Sequence, residues 1–267
     1  VSNVNEYVLD LENVYLERTL HATGRKTIIA LIKYMESETI STGAEVFFSD
    51  DVDDPLYFKD VFSEVLLDGE INDNPILPYY PEHKTYDFWL NEIKTTAKNS
   101  FNIDTVYGIS EIRVDQTGPW FVEIEADLSF NVSSETATWN KTATVKTKIS
   151  VENFIDPYYL VKTIDPVTEE YYESIINKTG TTFNEWNVEK VMDFVTNGNY
   201  THFENSQAPS FLMRFTNDIS PSPCCGIESW VNQIKLDALD RGKALSYRDY
   251  KFFPSWQSAP LCSMVTQ

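Results

Sequence analysis

Three cysteines, three histidines, four Asn-x-Ser/Thr triplets and one run of aspartates are the residues in this 267-residue chain whose types and spacing could do chemistry. Cys224 and Cys225 stand side by side in PSPCCGIESW, and Cys262 is the third. In an oxidising compartment either neighbour can bridge Cys262 across a loop of roughly 35 residues, a cross-link worth roughly 3 to 4 kcal/mol through restriction of the unfolded chain. That bridge is the favoured reading. Free structural thiols, a strained vicinal disulfide and a metal site stay open beside it, although zinc lacks the second Cys-x-x-Cys or His pair it needs.

The triplets begin at Asn131, Asn140, Asn177 and Asn199 and are acceptor motifs for N-glycosylation. With 19 Asn in the chain and about one residue in six Ser or Thr, roughly three arise by chance. Their number is therefore no excess, but each falls in a polar, turn-like or strand-edge context, which favours occupied sites. The run SDDVDDP gathers Asp50, Asp51, Asp53 and Asp54. Clustered carboxylate oxygens suit Ca2+, the one candidate cofactor, yet the EF-hand spacing and its bidentate Glu are missing, so a solvated acidic turn is the favoured reading.

Catalytic signals are weaker still. His21, His83 and His202 sit in no recognisable partner motif, and nothing reads as HExxH, GxSxG, a P-loop or a dinucleotide fingerprint. With 41 acidic residues some carboxylate pair is inevitable, so a pair suited to glycoside hydrolysis carries no signal. The expectation is a protein that is not an enzyme. Trp120, Trp139, Trp186, Trp230 and Trp256 could stack on sugars or partners, but at 14% aromatic content core positions are the commoner use.

The elements that must position these residues are legible from periodicity. Residues 3–38 place Val4, Val8, Leu11, Tyr15, Ala22, Ile29 and Ile32 at three- and four-residue steps, the stripe of one long amphipathic helix, with Gly24 as a point of bending or close approach. A short helix is expected over 56–69, ending at Gly69, then a proline-rich loop over 72–84. A helix from Thr85 follows, with Phe88, Leu90 and Ile93 inward. The middle third changes to a period of two. Val122, Ile124, Ala126, Leu128 and Phe130 point one way, and Glu123, Glu125, Asp127 and Ser129 the other, as in a half-buried antiparallel strand. Three or four such strands covered on one face by helices make an α+β arrangement. The Asp-Pro pairs near 156 and 165 end that unit, leaving a helix-plus-sheet domain at 1–160 and a smaller mixed domain at 161–267, where short helices are expected over 166–177 and 184–198.

A formal charge of −20 repels phosphate backbones, which argues against nucleic acid and anionic membranes as partners. The most apolar run, residues 27–35, is far shorter than a bilayer span and carries Lys33. The chain begins without a Met or a signal-like run, so Val1 reads as a processed or trimmed end, with a membrane anchor among the segments that could precede it.

Three groups of residues together carry a resemblance. DLENVYLERTLHATGRKTIIALIKYM, then TGPWFVEIEADLSFNVSSETATWN with ISVENFIDPYYLVKT, then APSFLMRFTND with CCGIESWVN and SYRDYKFF, resemble segments of uncharacterised archaeal cell-surface proteins. In those, the first of these helices follows a pilin-like N-terminal membrane anchor, which this chain lacks. The resemblance implies an extracellular, glycosylated, non-enzymatic domain that meets protein partners or its own copies at the cell surface. It also implies that the cysteines staple the C-terminal segment to the body. A carbohydrate-binding or adhesive module is the first alternative and a secreted glycoside hydrolase the second.

Overall fold

The computed structural model describes residues 2–76, 79–80, 84–118, 121–151, 154, 157–163, 177–178, 199–200 and 210–218. Of the helices expected over 166–177 and 184–198 only Asn177 is described, and it lies in a strand; the rest of both, and the whole tail beyond residue 218, lie outside these residues. In chain order the elements are α1 (Ser2–Asp10), a π-helical turn (Leu11–Tyr15), α2 (Leu16–Thr42), α3 (Phe58–Leu67), β1 (Glu70–Ile71) and β2 (Asn74–Pro75). After these come α4 (Tyr86–Phe101), β3 (Asp104–Gly118), β4 (Phe121–Ser133), β5 (Thr138–Ser150), α5 (Pro157–Thr163), β6 (Asn177–Lys178), β7 (Asn199–Tyr200) and a 3-10 turn (Met213–Thr216). The fold is α+β: a long N-terminal helix and further helices with an antiparallel sheet in the order β3-β4-β5.

The chain forms two compact units, each drawn from three separated stretches: Val1–Leu31, Asp53–Asp115 and Glu123–Ile149 in one, and Ile32–Val52, Gln116–Val122 and Ser150–Gln267 in the other. In the first unit Val4, Val8 and Leu11 are buried, as their spacing predicts. Beyond them the buried stripe slips by one residue. Leu16, Leu20, Thr23 and Thr27 are inside, while Tyr15 and Ala22 are exposed; Ile29 is half-buried and Ile32 is buried as its spacing predicts. The cause is the π-helical turn, where the Leu16 amide donates to the Leu11 carbonyl oxygen five residues back. One extra residue in that turn rotates everything after it. The two buried threonines return their hydroxyls to the helix itself, Thr23 Oγ1 to the Thr19 carbonyl oxygen at 2.7 Å and Thr27 Oγ1 to that of Thr23 at 3.1 Å.

This helical rod lies over one face of the sheet. Tyr7 Oη meets Thr105 Oγ1 on β3 at 3.2 Å, Lys141 Nζ on β5 reaches the Glu12 carboxylate at 2.6 Å, and Gly24 sits against Ile124 and Ile149. Strand β4 buries Val122, Ile124, Ala126, Leu128, Phe130 and Val132 in strict alternation, and β5 buries Val145, Thr147 and Ile149. Along β3 the buried positions change parity, from Thr105 to Val114, a shift that needs one extra residue within the strand.

Helix α3 ends at the Asp68 cap and Gly69, whose φ of +77° is left-handed. Helix α4 opens on Thr85, whose side chain accepts from the Phe88 amide at 3.1 Å. Its buried stripe is Tyr86, Leu90 and Ala97 with Ile93 half-buried; Phe88, expected inside, is half-exposed and meets Trp89 edge-on at 5.7 Å. Part of the expected proline loop is instead a hairpin. Asn72 and Asp73 both take positive φ, the geometry of a tight β1–β2 turn, and the Glu64 carboxylate accepts from both their amides.

Tyr86 is buried, and its hydroxyl has no hydrogen-bond partner among the described residues. A buried donor left unmade costs about 1 to 3 kcal/mol, so Tyr86→Phe is expected to hold or raise the melting temperature by a few degrees, as read by thermal unfolding. A clear fall would show that the hydroxyl has a partner in solution.

The second unit is knitted by aromatic rings. Tyr34 stacks on Phe48 at 6.1 Å, Phe48 lies against Phe215, Phe211 meets Phe215 edge-on at 5.4 Å and Phe154 stacks on Phe211. The Phe48 amide donates to the Phe215 carbonyl oxygen, and the Leu212 amide to Gln116 Oε1. Pro157, read from sequence as a terminator, opens α5, where the missing N–H is no loss.

Candidate functional site

The outward face of the three-stranded sheet collects the polar groups most able to act. Alternation on β4 aims Glu123, Glu125, Asp127, Ser129 and Asn131 away from the helices. The hairpin closed by the Ser134 amide on the Ala137 carbonyl oxygen then sets β5 opposite in fixed register. The result is a ladder of facing pairs. Lys148 Nζ meets Glu123 at 2.9 Å, Lys146 Nζ bonds Glu125, Thr144 Oγ1 donates to Asp127 at 2.6 Å, and Asn131 Nδ2 donates to Asn140 Oδ1. Facing pairs of this kind contribute about 0.2 to 1 kcal/mol each.

From β3, Arg113 joins three of the carboxylates. Its Nη1 reaches Asp127 at 2.7 Å and Glu111, and its Nη2 reaches Glu125 at 3.2 Å. Hydrogen bonds to Asp127 and then Glu125 hold the guanidinium above its ordinary pKa. The Asp127 carboxyl is held below its usual value, first by the Arg113 bond and then by Thr144. Glu125 is likewise lowered, first by the Lys146 bond, with its slight burial opposing and Arg113 assisting. These carboxylates are therefore anions at neutral pH, matched to cations. They do not supply the neutral acid beside a charged base that glycoside hydrolysis needs. Among the described residues of this unit the raised carboxyl is Asp68, pushed up by burial first and then by the charges of Asp87 and Glu64.

The far end of the ladder is uncharged and opens into a shallow depression of roughly 600 Å³ bordered by β3, β4 and β5. Asn131 and Asn140 are both in its wall. The other two acceptor asparagines also come as a pair, since Asn177 and Asn199 are register partners in the parallel β6–β7 bridge. Spacing along the chain gave no sign of either pairing.

Among the described residues, the remaining candidates are not brought together. The Asp54 carboxylate accepts from the Leu56 amide at 2.7 Å, and the Asp51 amide donates to Ser49 Oγ at 3.1 Å, so both serve local turns. The acidic group that does gather, among the described residues, is Glu64, Glu70 and Asp73, in place of Asp50, Asp51, Asp53 and Asp54. Its Glu64 carboxylate is already engaged by the β1–β2 turn. His21 is exposed on α2 and Trp139 half-exposed on β5. Cys224, Cys225, Cys262, His83 and His202 lie outside the described residues, as do Trp120, Trp186, Trp230 and Trp256.

Arg113 is the residue the sequence reading missed. Its signal was a lone cation in GISEIRVDQ facing the alternating acids of FVEIEAD, with the complementary KTK of β5 naming the register. No helix among the described residues is long and apolar enough to cross a membrane. Compared with known proteins, the chain matches no family model, no characterised protein sequence and no solved structure.

Proposed function

We propose that this chain is the non-enzymatic extracellular part of a membrane-anchored or filament-forming, pilin-like archaeal surface protein, N-glycosylated and working through contact with protein partners or with its own copies. One observation carries the reading: the layout of the first unit. A helical rod opens the chain and covers one face of an antiparallel sheet, while the opposite face carries two acceptor asparagines at its uncharged end. That arrangement turns the modifiable face away from the rod. The ion-pair ladder is consistent with the same reading, because its charges are engaged with one another.

The test is the intact mass of the protein taken from its own cells, reduced and non-reduced. Mass in excess of the chain by sugar-sized steps and by a peptide-sized N-terminal increment is the expected result, with the non-reduced form two hydrogens lighter. A mass equal to the bare chain, with free thiols, would replace this reading with an intracellular one.

A further inference from the structure

We propose that Asn140 carries a glycan, that its neighbour Asn131 does not, and that the first sugars of that glycan lie in the depression beside them. This inference rests on the surface reading above and adds to it which acceptor is used and what the sugar covers.

The two asparagines are distinguished by position. Asn140 is exposed on β5, an edge strand of the β3-β4-β5 sheet, and its amide nitrogen donates to no group among the described residues. Thr142, the hydroxyl residue of its motif, is exposed two residues on, hence on the same face. Asn131 is half-buried on the central strand, with its side-chain amide set against that of Asn140. A sugar on the Asn131 nitrogen would remove one of its two hydrogens and have to fit between the side chains of β3 and β5. In the transfer itself, Asn140 Nδ2 gives up one proton and bonds to the anomeric carbon of a lipid-phosphate-linked sugar. The glycosyl–phosphate bond breaks as the phosphate leaves with its electron pair, and no redox partner is needed.

The depression has the size and lining to seat what is attached there. It is open and shallow, with roughly 600 Å³ beside Asn140 for the first sugars to lie against. Gly108 adds no side chain to its floor, and a Cβ there would stand 3.3 Å from Ser129 Oγ. Val106, 64% exposed, offers an apolar surface to the C–H face of a sugar ring, while Ser129 and Asn131 offer hydrogen bonds. A glycan rooted at Asn140 reaches all of these without any change of fold.

The experiment secretes the full chain from a glycosylating host and maps glycopeptides at the four motifs, for the wild type, N131Q and N140Q. Sugar is expected on Asn140; N140Q should lose one glycan, and N131Q should lose none. Enzymatic trimming of the Asn140 glycan should be several-fold slower in the wild type than in Gly108→Leu, whose side chain fills the floor. Sugar on Asn131, or a bare Asn140 beside an occupied Asn177 or Asn199, would overturn the assignment and leave the surface reading standing. Equal trimming rates would overturn the seating. Absence of sugar at all four motifs in protein from its own cells would instead overturn the surface reading.

Discussion

A leucine at position 24 is expected to leave the chain without a stable native state, and an alanine there to cost about 1 to 3 kcal/mol, the usual range for overpacking a filled core. Gly24 is buried in α2 at the point where the helix crosses β4 and β5. A Cβ at that position would overlap Ile124 Cδ1 and stand 3.0 Å from Ile149 Cδ1. Both isoleucines are fully buried, so neither can swing into solvent to make room. Alanine gains about 1 kcal/mol of helix propensity over glycine, which offsets only part of the overlap. Leucine adds three further carbons and exceeds what side-chain repacking absorbs.

Urea unfolding followed by circular dichroism measures both variants. Ile124→Val, which deletes the offending methyl, should recover part of the loss in a Gly24→Ala background, a coupling expected only of residues in contact. The neighbouring Ala22→Leu, on the exposed side of the same helix, should stay near wild-type stability. A Gly24→Ala protein as stable as the wild type would mean that the helix does not meet the sheet at this point.

The sheet was legible because its signal is local. Strand β4 needs only the alternation of Val122 to Phe130, and α4 only Thr85 before its first turn, so both elements stand where periodicity and capping chemistry put them. The first helix was legible as a helix and misread as a face. Tyr15 and Leu16 are adjacent and both apolar, so the sequence supports either stripe; the π-helical turn that chooses between them is decided by what packs beneath it. Thr23 and Thr27 disguised the true stripe further, because their hydroxyls are satisfied by the helix's own carbonyl oxygens and so can be buried. The same limit applies to the site. Each acceptor asparagine is visible alone, but the facing of Asn131 and Asn140 depends on the hairpin turn at Ser134–Ala137. The complement between Glu123, Glu125 and Lys146, Lys148 was the available clue to that register.

Between pH 10 and pH 12 the protein is expected to lose stability steeply, with ionisation of the buried tyrosines and loss of structure in a single transition. Tyr80 is one of the groups responsible. Its hydroxyl is buried, donates to the Lys84 carbonyl oxygen at 3.1 Å and lies 3.4 Å from Thr27 Oγ1. Burial first, against a small opposing pull from the Thr27 bond, pushes its pKa up from 10.0 to about 12. The phenol is neutral when protonated, so below pH 10 folded and unfolded chains bind the same proton and this group makes stability neither rise nor fall. Above pH 10 the unfolded chain releases the proton while the folded one keeps it. Stability then falls by about 1.4 kcal/mol per pH unit from this residue, or on the order of 3 kcal/mol by pH 12. Burial raises Tyr86, Tyr7 and Tyr107 as well, the last with help from the Asp87 charge, so the same unit loses more than Tyr80 alone accounts for. Phenolate absorbance and far-ultraviolet circular dichroism recorded together across this range test the expectation. The exposed tyrosines should titrate first near pH 10 with structure intact, and the buried ones only as the ellipticity is lost. In Tyr80→Phe the hydroxyl bonds are gone but so is the titrating group. That variant should therefore start less stable at neutral pH and decline less between pH 10 and pH 12. Ionisation of all 15 tyrosines near pH 10 without change in ellipticity would mean that solvent reaches Tyr80 in the folded state, and that the helix–loop packing which buries it opens far more readily than its hydrogen bonds imply.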